Sequence, residues 1–284
     1  MKITNKKNLP DVIVRAIEGL IYPPSKENRI NVTSLIRPPI VHQLLRRHWN
    51  ELEEDAIDSV WRLLGTAIHK VIEGVTDKNI SEKKGEKDFG GIVISGKADV
   101  VDGSELYDYK VTSAWHSVFS QGLPKDWVRQ MNVYAYLFGD IKSAKIIAIY
   151  RDWIRSKAID ADYPPEPLMA FDVALADKEE QEKYILERVK LHSEASALPD
   201  DMLPICTPEE RWQKPTTWAI YRNENKIATR VFNSKEKAEK YAGGLTAKMT
   251  RVSERPGEDK KCLYYCPVKK FCHYGKSLEK GGEI

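Results

Sequence analysis

The 284-residue sequence has no run of about 18 or more apolar residues, so no stretch reads as a membrane-spanning helix. Its first twenty residues, MKITNKKNLPDVIVRAIEGL, lack the apolar core and small-residue cleavage site of a secretory leader, and a cytoplasmic location is expected. A large excess of either charge is lacking too. Forty-five Lys and Arg against 42 Asp and Glu leave a net of +3, which tolerates a nucleic-acid partner without pointing to one. Cysteine is limited to four residues, and in a reducing compartment these are not expected as two structural disulfides. No repeat of fixed period and no low-complexity tract is present, which excludes solenoids and fibrous classes.

What is present is a chain long enough to bury a core, with 42% hydrophobic residues. The segment from Asn31 opens with a Thr suited to capping a turn and is broken at Pro38-Pro39. Apolar residues at Ile57, Val60, Leu64, Ile68 and Ile72 then predict a helix ending near Val75. The polar, Gly-containing stretch SEKKGEKDFGG (81–91) reads as a loop. GIVISGKADVV and LYDYKVT alternate apolar and polar residues around Asp102-Gly103-Ser104-Glu105 and read as a hairpin. Helical spacing returns in PKDWVRQMNVYAYLFGD, strand patterning in AKIIAIYRDWI and LMAFDVALA, and helical spacing in DKEEQEKYILERVKLHSEAS. The expected class is α/β with a mixed central sheet flanked by helices.

The hairpin carries the chemistry. A Gly103-Ser104 turn sets Asp99 opposite Asp108, and an Asp102-Gly103 turn shifts the pairing by two but keeps both on one face. Lys110 shares the face of Asp108, while Tyr109 points away and leaves its carbonyl nearby. Facing carboxylates repel unless something neutralises them, and a divalent cation with oxygen ligands is the natural candidate. An adjacent Lys suits a nucleophilic water or developing phosphate charge, the chemistry of phosphodiester hydrolysis. Exposed Asp and Lys on strands also form weak surface pairs, so the D-x-K pattern alone is not diagnostic.

The ordered set GTAIH (65–69), GKAD (96–99), DYK (108–110) and QMNVY (130–134), spread over about residues 31 to 153, resembles the PD-(D/E)XK nuclease superfamily, and within it the RecB-type exonucleases and their phage-encoded relatives. The resemblance implies a restriction-endonuclease-like core and a Mg²⁺- or Mn²⁺-dependent deoxyribonuclease acting on DNA ends. It further implies that Asp99, Asp108, the Tyr109 carbonyl and His69 hold the metal, that Lys110 positions water, and that Gln130 and Tyr134 shape the site. DNA is the implied partner, with other recombination or replication proteins beside it, in phage-type or cellular DNA recombination, repair or processing. Taken alone, His69 on an amphipathic helix reads as a packed residue, Gln130 and Tyr134 as a structural i, i+4 pair, and Glu73 as a solvated helix residue. Arg46 and Arg47 near Trp49, and Arg151 and Arg155 around Trp153, are phosphate-contact candidates, with snorkelling over apolar surface as the plainer role. Trp115 reads equally as a base-stacking or a core residue.

CLYYCPVKKFC spaces Cys262, Cys266 and Cys272 within eleven residues, leaving Cys206 as a fourth thiolate. Four soft ligands suit a [4Fe–4S] cluster or Zn²⁺. The resemblance favours iron–sulfur, because RecB-type relatives include members closed by a C-terminal cysteine trio. In those relatives the lone cysteine usually precedes the His motif, where this chain has none, so Cys206 enters on stoichiometry and a three-cysteine site stays open. Two strands, a helix with Ser234 near its cap and a further strand are expected between Cys206 and Cys262. The expected organisation is therefore a nuclease core over 1–200 and a cysteine region over 201–284 with a β-β-α-β insert at about 215–255. A nuclease-fold module that binds DNA without cleaving it is the alternative.

Overall fold

The computed structural model describes residues 1–25, 28–119, 122–246 and 249–280. The chain divides into two compact units, Met1–Leu203 and Pro204–Ile284. The first contains strands β1 (Lys2–Thr4), β2 (Arg29–Asn31), β3 (Glu53–Asp55), β4 (Ser81–Phe89), β5 (Ile92–Asp102), β6 (Glu105–Thr112), β7 (Ser143–Tyr150) and β8 (Leu168–Asp172). Its helices are α1 (Asp11–Glu18), α2 (Val32–Ile36), α3 (Pro39–Arg47), α4 (Val60–Val75), α5 (Ala114–Phe119), α6 (Lys125–Phe138) and α7 (Lys178–Ser196). The architecture is mixed α/β.

Local chemistry sets the helix starts. Asn31, rather than the expected Thr33, caps α2, its side-chain oxygen accepting the Ser34 N–H at 2.7 Å. Pro39 begins α3 at a position where a missing N–H leaves no bond unmade. Asp177 caps α7 by accepting the Glu180 N–H at 2.8 Å. Leu35, Ile94, Leu106, Met131, Ile146 and Ile185 are fully buried and join α2, α6 and α7 to the sheet in one core.

The sheet runs β2-β5-β6-β7-β8, and β4 also pairs with β5. Residues 81–89 are therefore a strand, antiparallel to β5, where a loop was expected. The reason is that β4 is an edge strand rich in Lys and Glu; most of its side chains meet water, so alternation is lost, while charged residues protect the free edge. The hairpin pairs Val100 with Tyr107, Val101 with Leu106 and Asp102 with Glu105, so the turn is Gly103-Ser104. Gly103 takes a φ of 55°, the left-handed conformation that this turn needs. β6 and β7 are parallel.

On the side of β5 away from β4, β2 pairs with residues 93–95 and β6 with residues 100–102. Gly96 to Asp99 lie between these two ladders, and among the described residues they have no strand partner on that side. The β4 ladder also skips Asp99, opposite which Glu82 adopts a φ of 51°. GKAD thus occupies a gap in the sheet.

In the second unit, β9 (Gln213–Lys214) pairs with β13 (Glu258–Asp259). Strand β10 (Thr217–Arg222) lies between β11 (Arg230–Phe232) and β12 (Thr250–Arg255), all antiparallel. Helix α8 (Lys235–Gly243) packs on this three-stranded sheet, and α9 (Lys260–Tyr264) and α10 (His273–Lys280) follow. Among the described residues no helix is long and apolar enough to cross a membrane.

Candidate active site

The gap in β5 is filled by side chains. Asp99 Oδ2 accepts the backbone N–H of Tyr109 at 2.8 Å, taking the place of a ladder bond. Its Oδ1 accepts His69 Nδ1–H at 3.2 Å from helix α4, and the hydrogen bond to Asp99 raises the His69 pKa above the usual histidine range against the lowering effect of burial. The Tyr109 ring meets His69 edge-on at 6.2 Å.

Asp108 is approached from the other side by helix α6. It is 4% exposed. Gln130 Nε2 donates to its Oδ1 at 3.2 Å, and Lys110 Nζ lies 2.7 Å from its Oδ2. Oδ2 is buried, and this ion pair is its contact. Burial pushes the Asp108 pKa up and the Asp99 charge adds to it, while Lys110 and His69 oppose the shift. Lys110 also donates to Gln130 Oε1 at 3.0 Å, so the Gln130 amide orients both members of the D-x-K pair.

Tyr134 completes the arrangement. Its hydroxyl donates to the Lys97 carbonyl at 3.1 Å, in the unpaired stretch of β5, and accepts from Gln130 Nε2 at 3.3 Å. Burial holds its pKa up at about 12, which keeps it a donor at neutral pH. Gly96 exists beneath it for lack of space: an added Cβ would fall 2.4 Å from Tyr134 Cε1 and 2.7 Å from Val32 Cγ2. Gly65, by contrast, has nothing within 4 Å of such a Cβ.

A small cleft beside Asp99 is lined by His69, Glu73, Thr76, Glu82, Asp99 and Tyr109. Sequence reading left Glu73 aside and passed over Glu82, which lay within the presumed loop. A carboxylate at the skipped rung opposite Asp99 was the signal, visible only once β4 is known to be a strand. Glu82 pairs with Lys97.

The basic residues fall into different surroundings. Arg47 is tied to Asp200 at 2.8 Å and to the carbonyls of Ala195 and Ser196, at the end of α7. Arg46 lines a cavity with His42, Gln43, His192 and the Gly90-Gly91 turn. Arg151 stacks over the exposed ring of Trp61 at 4.4 Å, and Lys157 over Trp115 at 4.3 Å. Arg155 is exposed.

All four cysteines lie in the second unit, partly buried and outside any disulfide. Burial, with the neighbouring charges of Glu210 and the other three thiols, pushes Cys206 up to about 12, and burial with Cys266, Asp259 and Cys272 pushes Cys262 to about 11. The thiols are close enough to repel one another as thiolates. Among the described residues, however, no three His, Cys, Asp or Glu side chains are gathered in an arrangement able to hold a metal ion. At the hairpin the reason is plain, since Asp99, His69, Asp108, Lys110 and Gln130 hydrogen-bond or pair with each other. The donor chemistry there nevertheless fits a hard divalent ion: the carboxylates of Asp99 and the buried Asp108, a carbonyl oxygen and one imidazole.

No family model matches the sequence, and no curated protein matches it. Among solved structures, the chain is similar to SSO0001, at 21% identity over 64% of this chain and 85% of that one, with a TM-score of 0.45. It is also similar to the alkaline exonuclease LHK-Exo from Laribacter hongkongensis, at 9% identity over 64% of this chain and 93% of that one, with a TM-score of 0.36.

Proposed function

We propose that the chain is a divalent-metal-dependent DNA nuclease that hydrolyses phosphodiester bonds, acting as an exonuclease at DNA ends. The observation that carries this reading is Asp108, a buried carboxylate paired with Lys110 and lying within the electrostatic field of Asp99 at a gap in the sheet. Burial raises its pKa in spite of the Lys110 pair, and carboxylates perturbed in this way concentrate at functional sites.

Asp99, Asp108, the Tyr109 carbonyl and His69 would hold Mg²⁺ or Mn²⁺. When bound, the ion supplies Lewis acidity toward a phosphate oxygen and acidity to a water. Lys110 orients the attacking water and meets the charge developing on phosphate, with its ammonium aimed by Gln130. Tyr134 fixes Gln130 and, through Lys97, the open stretch of β5. The electrostatic influence of the other three thiols on Cys206, and of Cys266 and Cys272 on Cys262, supports a second site, in which Cys206, Cys262, Cys266 and Cys272 would hold a [4Fe–4S] cluster, with Zn²⁺ as the alternative. Ligation there would displace the thiol protons that burial now favours on Cys206 and Cys262.

The test is cleavage of end-labelled linear and closed circular DNA, single- and double-stranded, with Mg²⁺, Mn²⁺ or EDTA. Metal-dependent shortening of linear DNA that disappears in Asp108→Ala is expected. Absence of cleavage by intact, cluster-loaded protein would overturn the nuclease in favour of a DNA-binding module.

A further inference from the structure

The near-neutral charge of the whole chain conceals a segregation. Residues 204–284 carry 17 Lys and Arg against 10 Asp and Glu, a net of +7, whereas residues 1–203 carry 28 against 32, a net of −4. DNA bears one negative charge per about 1.7 Å of duplex, so net charge draws it to the second unit rather than to the first, whose site contains two carboxylates.

Within that unit the three-stranded sheet has two unlike faces. Phe232 packs against Tyr241 of α8 at 5.3 Å, and Phe232 pairs with Trp218, so the face bearing these residues is the one α8 covers. Alternation puts Tyr221 on the opposite face, together with its cross-strand partner Arg251 and with Arg255, the partner of Thr217. The Arg251 guanidinium lies 4.7 Å from the centre of the Tyr221 ring, and Arg255 donates to the Tyr221 hydroxyl at 2.8 Å. Both arginines are exposed, and no carboxylate takes part in these contacts. An aromatic ring between two guanidiniums restrains their rotamers while leaving their forked donors outward, the geometry that grips phosphate in two places at once.

We propose that the Arg251–Tyr221–Arg255 face of the second unit is a DNA phosphate-binding surface, holding the polyanion while the first unit supplies the chemistry. The choice of DNA as the polyanion rests on the nuclease reading; the charge segregation does not.

The experiment measures binding of fluorescent single- and double-stranded oligonucleotides to the full chain carrying Asp108→Asn, in EDTA, between about 50 and 200 mM salt. Adding R251E and R255E should weaken duplex binding at least tenfold at the lower salt and reduce the log–log salt slope by about 2, from two phosphate contacts at about 0.9 each. Adding K235E and K237E on α8, an equal change of charge on the covered side, should weaken it less than threefold. R251K with R255K, which keeps charge but removes the fork, should fall between, and circular dichroism checks that each variant is folded. Equal losses for the two charge reversals, unchanged binding in R251E/R255E, or binding to anionic phosphatidylserine vesicles in place of DNA would overturn the proposal. Cleavage of DNA by the wild type with binding indifferent to the arginines would defeat this surface alone; arginine-dependent binding without cleavage would defeat the nuclease alone.

Discussion

Replacing Asp108 by Asn should stabilise the metal-free protein while destroying the site. The carboxylate is 4% exposed, and burial raises its pKa in spite of the Lys110 pair. A carboxyl whose pKa is raised on folding costs the folded state stability while it is ionised. Two things change in exchange. The Lys110 contact goes, but the raised pKa of Asp108 shows that burial already outweighs that pair. Gln130 Nε2 keeps an acceptor in the Asn oxygen, while the Lys110 ammonium must shift from the NH2 group that replaces Oδ2, a movement of one side chain. The net expectation in EDTA is a gain of about 1–2 kcal/mol, or a few degrees in melting temperature. Metal should reverse the order. An ion present at a hundredfold excess over its dissociation constant stabilises the wild type by about 2.7 kcal/mol and leaves the variant nearly unmoved. Hydrogen exchange of β5 and β6 amides, with and without Mg²⁺, reads the effect without interference from the second unit. Lower protection in Asp108→Asn than in wild type under EDTA, or equal metal effects on both, would refute the reasoning.

Lys110→Ala should reduce cleavage by at least about 100-fold with little change in Mg²⁺-induced protection, since the ammonium serves the water and phosphate; near-wild-type rates in a gel assay would remove it from the mechanism. Gly96→Ala should destabilise the first unit by about 1–3 kcal/mol in urea titrations, because the new methyl overlaps Tyr134 and Val32. Burial, reinforced by the His192, Arg46 and Arg37 charges, lowers His42 to about 3; burial, reinforced by Arg188 against the Leu35 hydrogen bond, lowers His192 to about 4. Both folded values lie below the unfolded value of 6.5, so this contribution is fully present above that pH and is lost as pH falls toward 4. Near pH 5 the loss is about 1–2 kcal/mol per histidine, and His192→Gln should flatten the pH dependence of urea midpoints by about half. Anaerobic purification should yield brown protein with broad visible absorbance that fades in Cys262→Ser; colourless protein with stoichiometric zinc would select the other metal.

The hairpin was legible because its signal is local: alternation on both sides of a four-residue turn region, with a glycine able to take positive φ, fixes which residues can face each other. The helix bearing Gln130 and Tyr134 was legible from its apolar spacing. The edge strand was not, since nothing in SEKKGEKDF is buried except at its last residue, and with it went Glu82. The gap at Gly96 to Asp99 is not a local property either. It arises because β2 and β6 each pair with only part of one side of β5, and sequence cannot say where one ladder ends and the next begins. Arg47 shows the same limit in reverse, a basic residue next to an aromatic whose charge is absorbed by the end of a helix about 150 positions later.

The missing rung also gives the site a reporter that no added probe is needed to read. In a continuous ladder the Tyr109 amide would be protected by a neighbouring backbone, and its exchange would follow the unzipping of two strands. Here its acceptor is the Asp99 carboxylate. Anything that turns that carboxylate, whether a ligand, a phosphate or a substitution at His69, frees one amide without loosening the sheet around it. The exchange rate of a single backbone proton would then record the state of the site, while its neighbours in β6 record only the stability of the fold.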